Sequence, residues 1–118
     1  MRVLIVDDNE ELRGFLALSL KEADVDVVCV ENPEDALQQV EGEKFDALVI
    51  DSLLGSTDGI ELVQRIRGTK NGRSVPILMM STISTALARR MATSAGCNEF
   101  LVKPFGPMQF VEQVKRLR

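Results

Sequence analysis

The chain has 118 residues, enough to bury one substantial core, so it is read as a single domain spanning 1–118. Its balance of 45% hydrophobic and 27% charged residues is that of an ordinary globular protein, and no apolar run approaches the roughly 18 residues of a membrane span. The absence of histidine excludes Ser-His and Cys-His dyads, imidazole metal ligands and a phosphohistidine. The net charge of −4 conceals an asymmetry: residues 1–62 hold 16 acids against 4 bases, and residues 63–118 hold 2 acids against 10 bases.

Short apolar runs alternate with helical patterns five times. The predicted strands are Arg2–Val6, Asp26–Val30, Asp46–Ile50, Pro76–Met80 and Glu99–Val102, near-continuous runs of the kind a parallel sheet covers on both faces. After the first strand, Asp8 or Asn9 caps a helix whose apolar face is Leu12, Phe15, Leu16 and Leu20. After the second, "NPEDALQQV" offers Asn32 as cap, Pro33 at the first helical position, and Glu34 and Asp35 in the first turn. Asp58 caps a third helix with a core face of Leu62, Val63 and Ile66. Ser84 or Thr85 starts a fourth containing Leu87 and Met91 and ending near Gly96. The fifth begins about Gly106-Pro107 and buries Phe110, Val111, Val114 and Leu117. "GTKNGRS" is the one long polar connector. Five such units make a parallel sheet with helices on both faces and right-handed crossovers.

In such a sheet, chemistry collects beyond the carboxyl ends of the strands. There stand Asp7 and Asp8 after strand one, Asp51 after strand three, Ser81 after strand four and Lys103 after strand five. Each alone has a plain structural reading: a helix cap, a polar loop start, a capping hydroxyl, a solvated cation. Together they make one edge with three acids, a hydroxyl and a cation. Carboxylates in one crevice repel unless a cation joins them, and an all-oxygen set favours magnesium. Asp51 can then serve as a nucleophile toward phosphorus, with Lys103 and the metal neutralising charge from opposite sides and Ser81 donating to a phosphoryl oxygen.

The stretches "VLIVDDN", "DALVIDSLLGSTDG", "VPILMMST" and "FLVKPF", in this order and spacing, resemble the receiver domain of bacterial two-component response regulators over essentially the whole chain. The resemblance implies a doubly wound, flavodoxin-like sheet of order 2-1-3-4-5, the order that receivers are used to illustrate. It implies that Asp51 accepts a phosphoryl group from a histidine kinase or phosphotransfer protein. Magnesium would be bound by Asp8 directly, by Asp7 through water, by Asp51 and by the backbone carbonyl of Leu53. Lys103 would pair with the phosphoryl group, its bond to Pro104 being cis. Ser81 and the aromatic switch Phe100 would move together, biasing helix four, strand five and helix five toward a downstream protein or an output domain of the same protein. Phe100 also reads as simple core packing. Such a receiver catalyses its own phosphorylation and a slow dephosphorylation without being a conventional turnover enzyme.

Two positions depart from the family pattern: Gly55 where proline is usual, implying a looser loop, and Thr82 where alanine is usual, implying narrower access to Asp51. Leu53 and Ile83, two residues after Asp51 and Ser81, are apolar and unable to orient an attacking water, which implies slow dephosphorylation. Arg89, Arg90, Lys115, Arg116 and Arg118 offer a basic surface for an acidic partner, or simply solvated helix faces.

The nearest rival is a degenerate receiver acting as a phosphorylation-independent interaction module. An aspartyl phosphatase would want a second acid where Leu53 stands. A flavin carrier would want a hydroxyl- and glycine-rich loop where "DDNEE" would repel phosphate. Direct nucleic-acid binding is disfavoured by the negative net charge and the lack of room for a helix-turn-helix domain. The expected compartment is the cytoplasm, with Cys29 and Cys97 as reduced, buried thiols that the sheet order keeps on opposite edges.

Overall fold

Five apolar runs become the strands of one parallel sheet: β1 (Arg2–Val6), β2 (Asp26–Val30), β3 (Ala47–Asp51), β4 (Ile77–Ser81) and β5 (Glu99–Val102), in the order β2-β1-β3-β4-β5. The structure is a computed structural model that describes residues 1–117; Arg118, one of the candidate basic contacts, lies outside the described residues. Helices α1 (Glu10–Glu22), α2 (Pro33–Gly42), α3 (Gly59–Arg67), α4 (Ala86–Ala95) and α5 (Pro107–Lys115) connect and follow the strands, giving the doubly wound α/β fold expected. Among the described residues no helix is long and apolar enough to cross a membrane.

The two-residue period of the strands divides the core between the sheet's faces. Leu4, Val6, Leu48, Ile50, Ile77 and Met79 pack with Ala36 and Val40 of α2, Leu62, Val63 and Ile66 of α3, and Ala92 of α4. Val3, Ile5, Val49, Leu78 and Met80 pack with Leu16 and Leu20 of α1 and with Phe110 and Val114 of α5. The caps follow the residues: Asn9, Asn32, Asp58 and Thr85 each accept a backbone N–H from the first turn of their helix.

Two strands run one residue later than predicted. At their starts, the Asp46 carboxylate accepts the Arg2 N–H at 2.6 Å, and Pro76 has no N–H to give. At their ends the ladder continues, with Ser52 N–H bonded to the Met80 carbonyl and Lys103 N–H to that of Ser81, both at 2.8 Å. Asp51 and Ser81 are therefore the last residues of strands, held by the sheet, and not the first residues of loops.

Coverage is uneven. β2 is an edge strand, and Cys29 on it is exposed, which corrects the expectation of two buried thiols; Cys97 is buried as expected, and both thiols are free. Phe15 of α1 faces solvent, and Val111 of α5 is only partly covered. In α4 the large apolar side chains point outward, with Leu87 61% and Met91 49% exposed. Ala88, Ala92 and Ala95 turn inward instead, and Ala92 is the one buried residue of the helix. Small side chains at helical spacing let the helix backbone approach the sheet without inserting bulk.

Phe110 is fully buried between α5 and the sheet, its ring 5.6 Å from that of Phe105, whereas Phe15 lies at the surface. Phe110→Ala is expected to cost about 3–5 kcal/mol in urea unfolding, and Phe15→Ala under about 1 kcal/mol.

Candidate functional site

Among the described residues, three polar or charged side chains are buried: Asp7 at 0% exposure, Asp51 at 6% and Ser81 at 2%. All three were singled out from the sequence, and all stand at the carboxyl edge of the sheet. Register places them: Val6 pairs with Ile50, Asp51 with Met80 and Ser81 with Val102, so Asp51 and Ser81 end their strands and Asp7 and Lys103 directly follow neighbouring ones.

Lys103 reaches past β4 and sets its Nζ 2.5 Å from Asp51 Oδ2. The other oxygen of Asp51 accepts the Leu53 N–H at 3.1 Å. Asp7 has no such cation. Its Oδ1 accepts the Asn9 N–H at 2.9 Å, while its Oδ2 is buried without a hydrogen-bond partner. Burial pushes the Asp7 carboxyl up to about 6; the Asn9 N–H opposes that rise, and the neighbouring Asp51 adds to it. Arg13 donates to the Asp7 backbone carbonyl at 2.8 Å, fixing the main chain of this residue and not its charge.

Ser81 Oγ accepts the Ile83 N–H at 3.0 Å, which leaves the hydroxyl hydrogen free to donate. Beside it opens a cleft of about 400 Å³ lined in part by Leu53, Thr82, Ile83, Met91 and Phe100. Phe100 on β5 is half-buried, and the Arg89 guanidinium of α4 lies over its ring at 5.0 Å. Gly59 passes so close beneath the acidic loop that a Cβ there would stand 2.2 Å from the Asp51 carbonyl oxygen. The Lys103–Pro104 peptide is cis.

The expectation of three acids in one crevice meets a difference at Asp8. Its side chain is exposed, and its Oδ2 accepts the Gly55 N–H at 2.9 Å. Among the described residues no three His, Cys, Asp or Glu side chains converge as a metal cage. The donor chemistry still suits a hard cation. Asp7 offers an unpartnered buried oxygen beside Asp51, and Mg²⁺ keeps several of its waters, needing only one or two carboxylates. Leu53 contributes a carbonyl: Gly59 N–H bonds the Ser52 carbonyl at 2.8 Å, so antiparallel alternation makes Leu53–Asp58 a non-hydrogen-bonded pair.

Gly55 and Arg89 were singled out from the sequence, but the turn that one makes and the contact of the other were not. Gly55 and Ser56 form a two-residue turn joining Leu53–Leu54 to Thr57–Asp58, and the pattern "LLGSTD" carries that signal. Arg89 over Phe100 joins residues 11 apart on different elements, for which no local signal exists.

A family model described as the response regulator receiver domain matches residues 3–115, and the chain belongs to that family. The alkaline phosphatase synthesis transcriptional regulatory protein PhoP of Bacillus subtilis is 31% identical over 98% of this chain and 48% of its own length, so the chain spans about half of that relative. A putative response regulator from Chloroflexus aurantiacus superposes with a TM-score of 0.91 at 36% identity, covering 98% of this chain and 95% of that one. The receiver domain of the sensor histidine kinase PA1611 from Pseudomonas aeruginosa, solved with a magnesium ion coordinated in its active site cleft, superposes at 0.89 with 28% identity, over 98% of this chain and 95% of that one.

Asp7 makes stability depend on pH. Its carboxyl holds a proton more tightly in the folded state than in the unfolded chain, so folding gains as pH falls through about 6 toward the ordinary value of 3.8. Without divalent cations, Asp7→Asn is expected to be more stable than the natural chain at pH 7 by about 2 kcal/mol, with the gap closing near pH 4. Calorimetric unfolding of both chains across this range measures it.

Proposed function

We propose that this receiver is a phosphorylation-controlled switch of the cytoplasm, with Asp51 as its phosphoacceptor. The observation that carries the proposal is the pairing of a buried strand-end aspartate with Lys103 at 2.5 Å, next to a second buried aspartate left without a cation. In the step proposed, an Asp51 oxygen bonds to phosphorus as the nitrogen–phosphorus bond of a kinase or phosphotransfer phosphohistidine breaks, and the bond's electron pair leaves with the imidazole. Lys103 is then placed to shift from the carboxylate to a phosphoryl oxygen, and the Ser81 hydroxyl can donate to another.

Asp7, Asp8, Asp51 and the Leu53 carbonyl would hold magnesium, with Asp7 acting through water. When bound, the ion supplies positive charge that offsets the carboxylates and the phosphoryl oxygens. The receiver needs no turnover chemistry beyond its own phosphorylation and a slow loss of phosphate. Movement of Ser81 toward a phosphoryl group would free space in the adjoining cleft for Phe100, which must first part from Arg89. The face formed by α4, β5 and α5 is the proposed output. It presents exposed Arg89 of α4 over Phe100, with Lys115 at the end of α5 and Arg116 just after it, and fits an acidic partner protein or an output domain of a longer protein; Leu87, Arg90 and Met91 lie on the other side of α4, beside Ile60 and Gln64 of α3. A rival reading, an interaction module that works without phosphorylation, has the displaced Asp8 in its favour.

Incubation with a small phosphodonor and Mg²⁺ separates the two. The natural chain is expected to take up label and Asp51→Asn to take up none; label retained in the variant overturns the assignment. Leu53 and Ile83 leave attacking water without a polar guide, so label on the natural chain is expected to be long-lived without an added phosphatase. Leu53→Asn is expected to shorten its half-life roughly three- to tenfold, the worth of about one oriented hydrogen bond.

A further inference from the structure

The Gly55-Ser56 turn closes a hairpin in which Leu54 pairs with Thr57 and Leu53 with Asp58. Gly55 takes φ +62°, a conformation open to glycine at the first central position of such a turn and closed to proline. The turn is anchored at its base: Gly59 N–H bonds the Ser52 carbonyl at 2.8 Å, and the Asp58 carboxylate caps α3 through the Ile60 N–H at 2.9 Å. The Gly55 N–H is therefore presented at a defined place, and Asp8 Oδ2 meets it at 2.9 Å.

We propose that Gly55 is a positioning residue that holds the Asp8 carboxylate away from the cation site, so that its peptide N–H and a hard divalent cation compete for the same acid. The inference deepens the phosphoacceptor proposal and rests on it for the cation. Three observations converge. Asp8 is committed to a backbone donor 47 residues away, although it directly follows the buried Asp7. Among the described residues, no third acid side chain joins Asp7 and Asp51. The buried Asp7 Oδ2 is left without a partner, which is the state of a site short of positive charge.

An N–H and a metal ion both draw on carboxylate lone pairs, and in the proposed competition the Asp8 carboxylate turns from Gly55 to ligate an ion beside Asp7 and Asp51. Cation binding then breaks the Gly55 bond and releases the hairpin tip. By linkage, whatever steadies the tip weakens the cation, and the cation loosens the tip to the same extent. Proline at this position would offer no N–H, and glycine supplies both that donor and the φ of +62° that aims it at Asp8.

Calorimetric titration with MgCl₂ is the first test, applied to the natural chain and to Gly55→Pro, which loses the N–H together with the φ of +62° that aims it. The variant is expected to bind Mg²⁺ about three- to tenfold more tightly, the loss of one charge-assisted competitor. Equal or weaker binding by a folded variant overturns the inference. The second test needs no variant: the Gly55 amide in ¹⁵N spectra of the natural chain is expected to shift upfield and exchange faster at saturating Mg²⁺. An amide unchanged at saturation also overturns the inference, and leaves the phosphoacceptor assignment standing. Failure of both chains to bind Mg²⁺ overturns the inference together with that assignment.

Discussion

Lys103, directly after β5, reaches the end of β3 to pair with Asp51, and the buried polar side chains of the carboxyl edge stand around that contact. Neither partner is free in water: the Lys103 side chain is 20% exposed and that of Asp51 9%. Removing one member of such a pair leaves an uncompensated charge in a poorly solvated place, whereas the pair itself is roughly neutral for stability. The contact sets the Lys103 ammonium 2.5 Å from one oxygen of Asp51 and leaves the other oxygen to the Leu53 N–H. Its span across β4 requires the strand order observed, since β3, β4 and β5 must lie side by side in register.

Lys103 bonds Asp51 alone, and its charge acts on Asp7 too weakly to undo that residue's burial. Asp7 is buried beside Asp51, with one oxygen bonded to a backbone N–H and the other to nothing. The site thus carries an electrostatic deficit that folding tolerates because two apolar layers on either face of the sheet supply the stability. Buried acids with raised affinity for protons cluster where function needs them. Here the deficit has a direction: it asks for positive charge at the same edge where the Leu53 carbonyl and the Asp51 carboxylate also lie. Asp8, the remaining acid, is held off by a main-chain donor.

From that edge the link to the surface runs through contact and not through distance alone. Ser81 and Phe100 line the same cleft, and Phe100 carries Arg89 of α4 on its ring. α4 is attached to the sheet by alanines, and its larger apolar side chains stand outward beside arginines. A helix held by small side chains makes few dispersion contacts with its support, so its position responds to modest changes beneath it. The basic residues on this face balance an acidic first half whose Arg2 is consumed at the opposite end of the molecule by Glu43 and Asp26.

Much of the architecture was legible in the chain. Apolar runs of strand length, Asn32-Pro33 and Asp58 at helix starts, and Gly96 at a helix end identify their elements because backbone hydrogen bonding and capping are local. Asp7, Asp51, Ser81 and Lys103 could be placed on one edge because strand ends in a parallel sheet share a side. What local pattern could not decide was which way a side chain leans once there. That Cys29 faces solvent follows from β2 being an edge strand, and that Leu87 and Met91 face outward follows from α4 packing through its alanines. Whether Asp8 joins its neighbours or turns to Gly55 depends on a hairpin 47 residues away. Charges and donors compete over a few ångströms in space, and only the folded chain sets those distances.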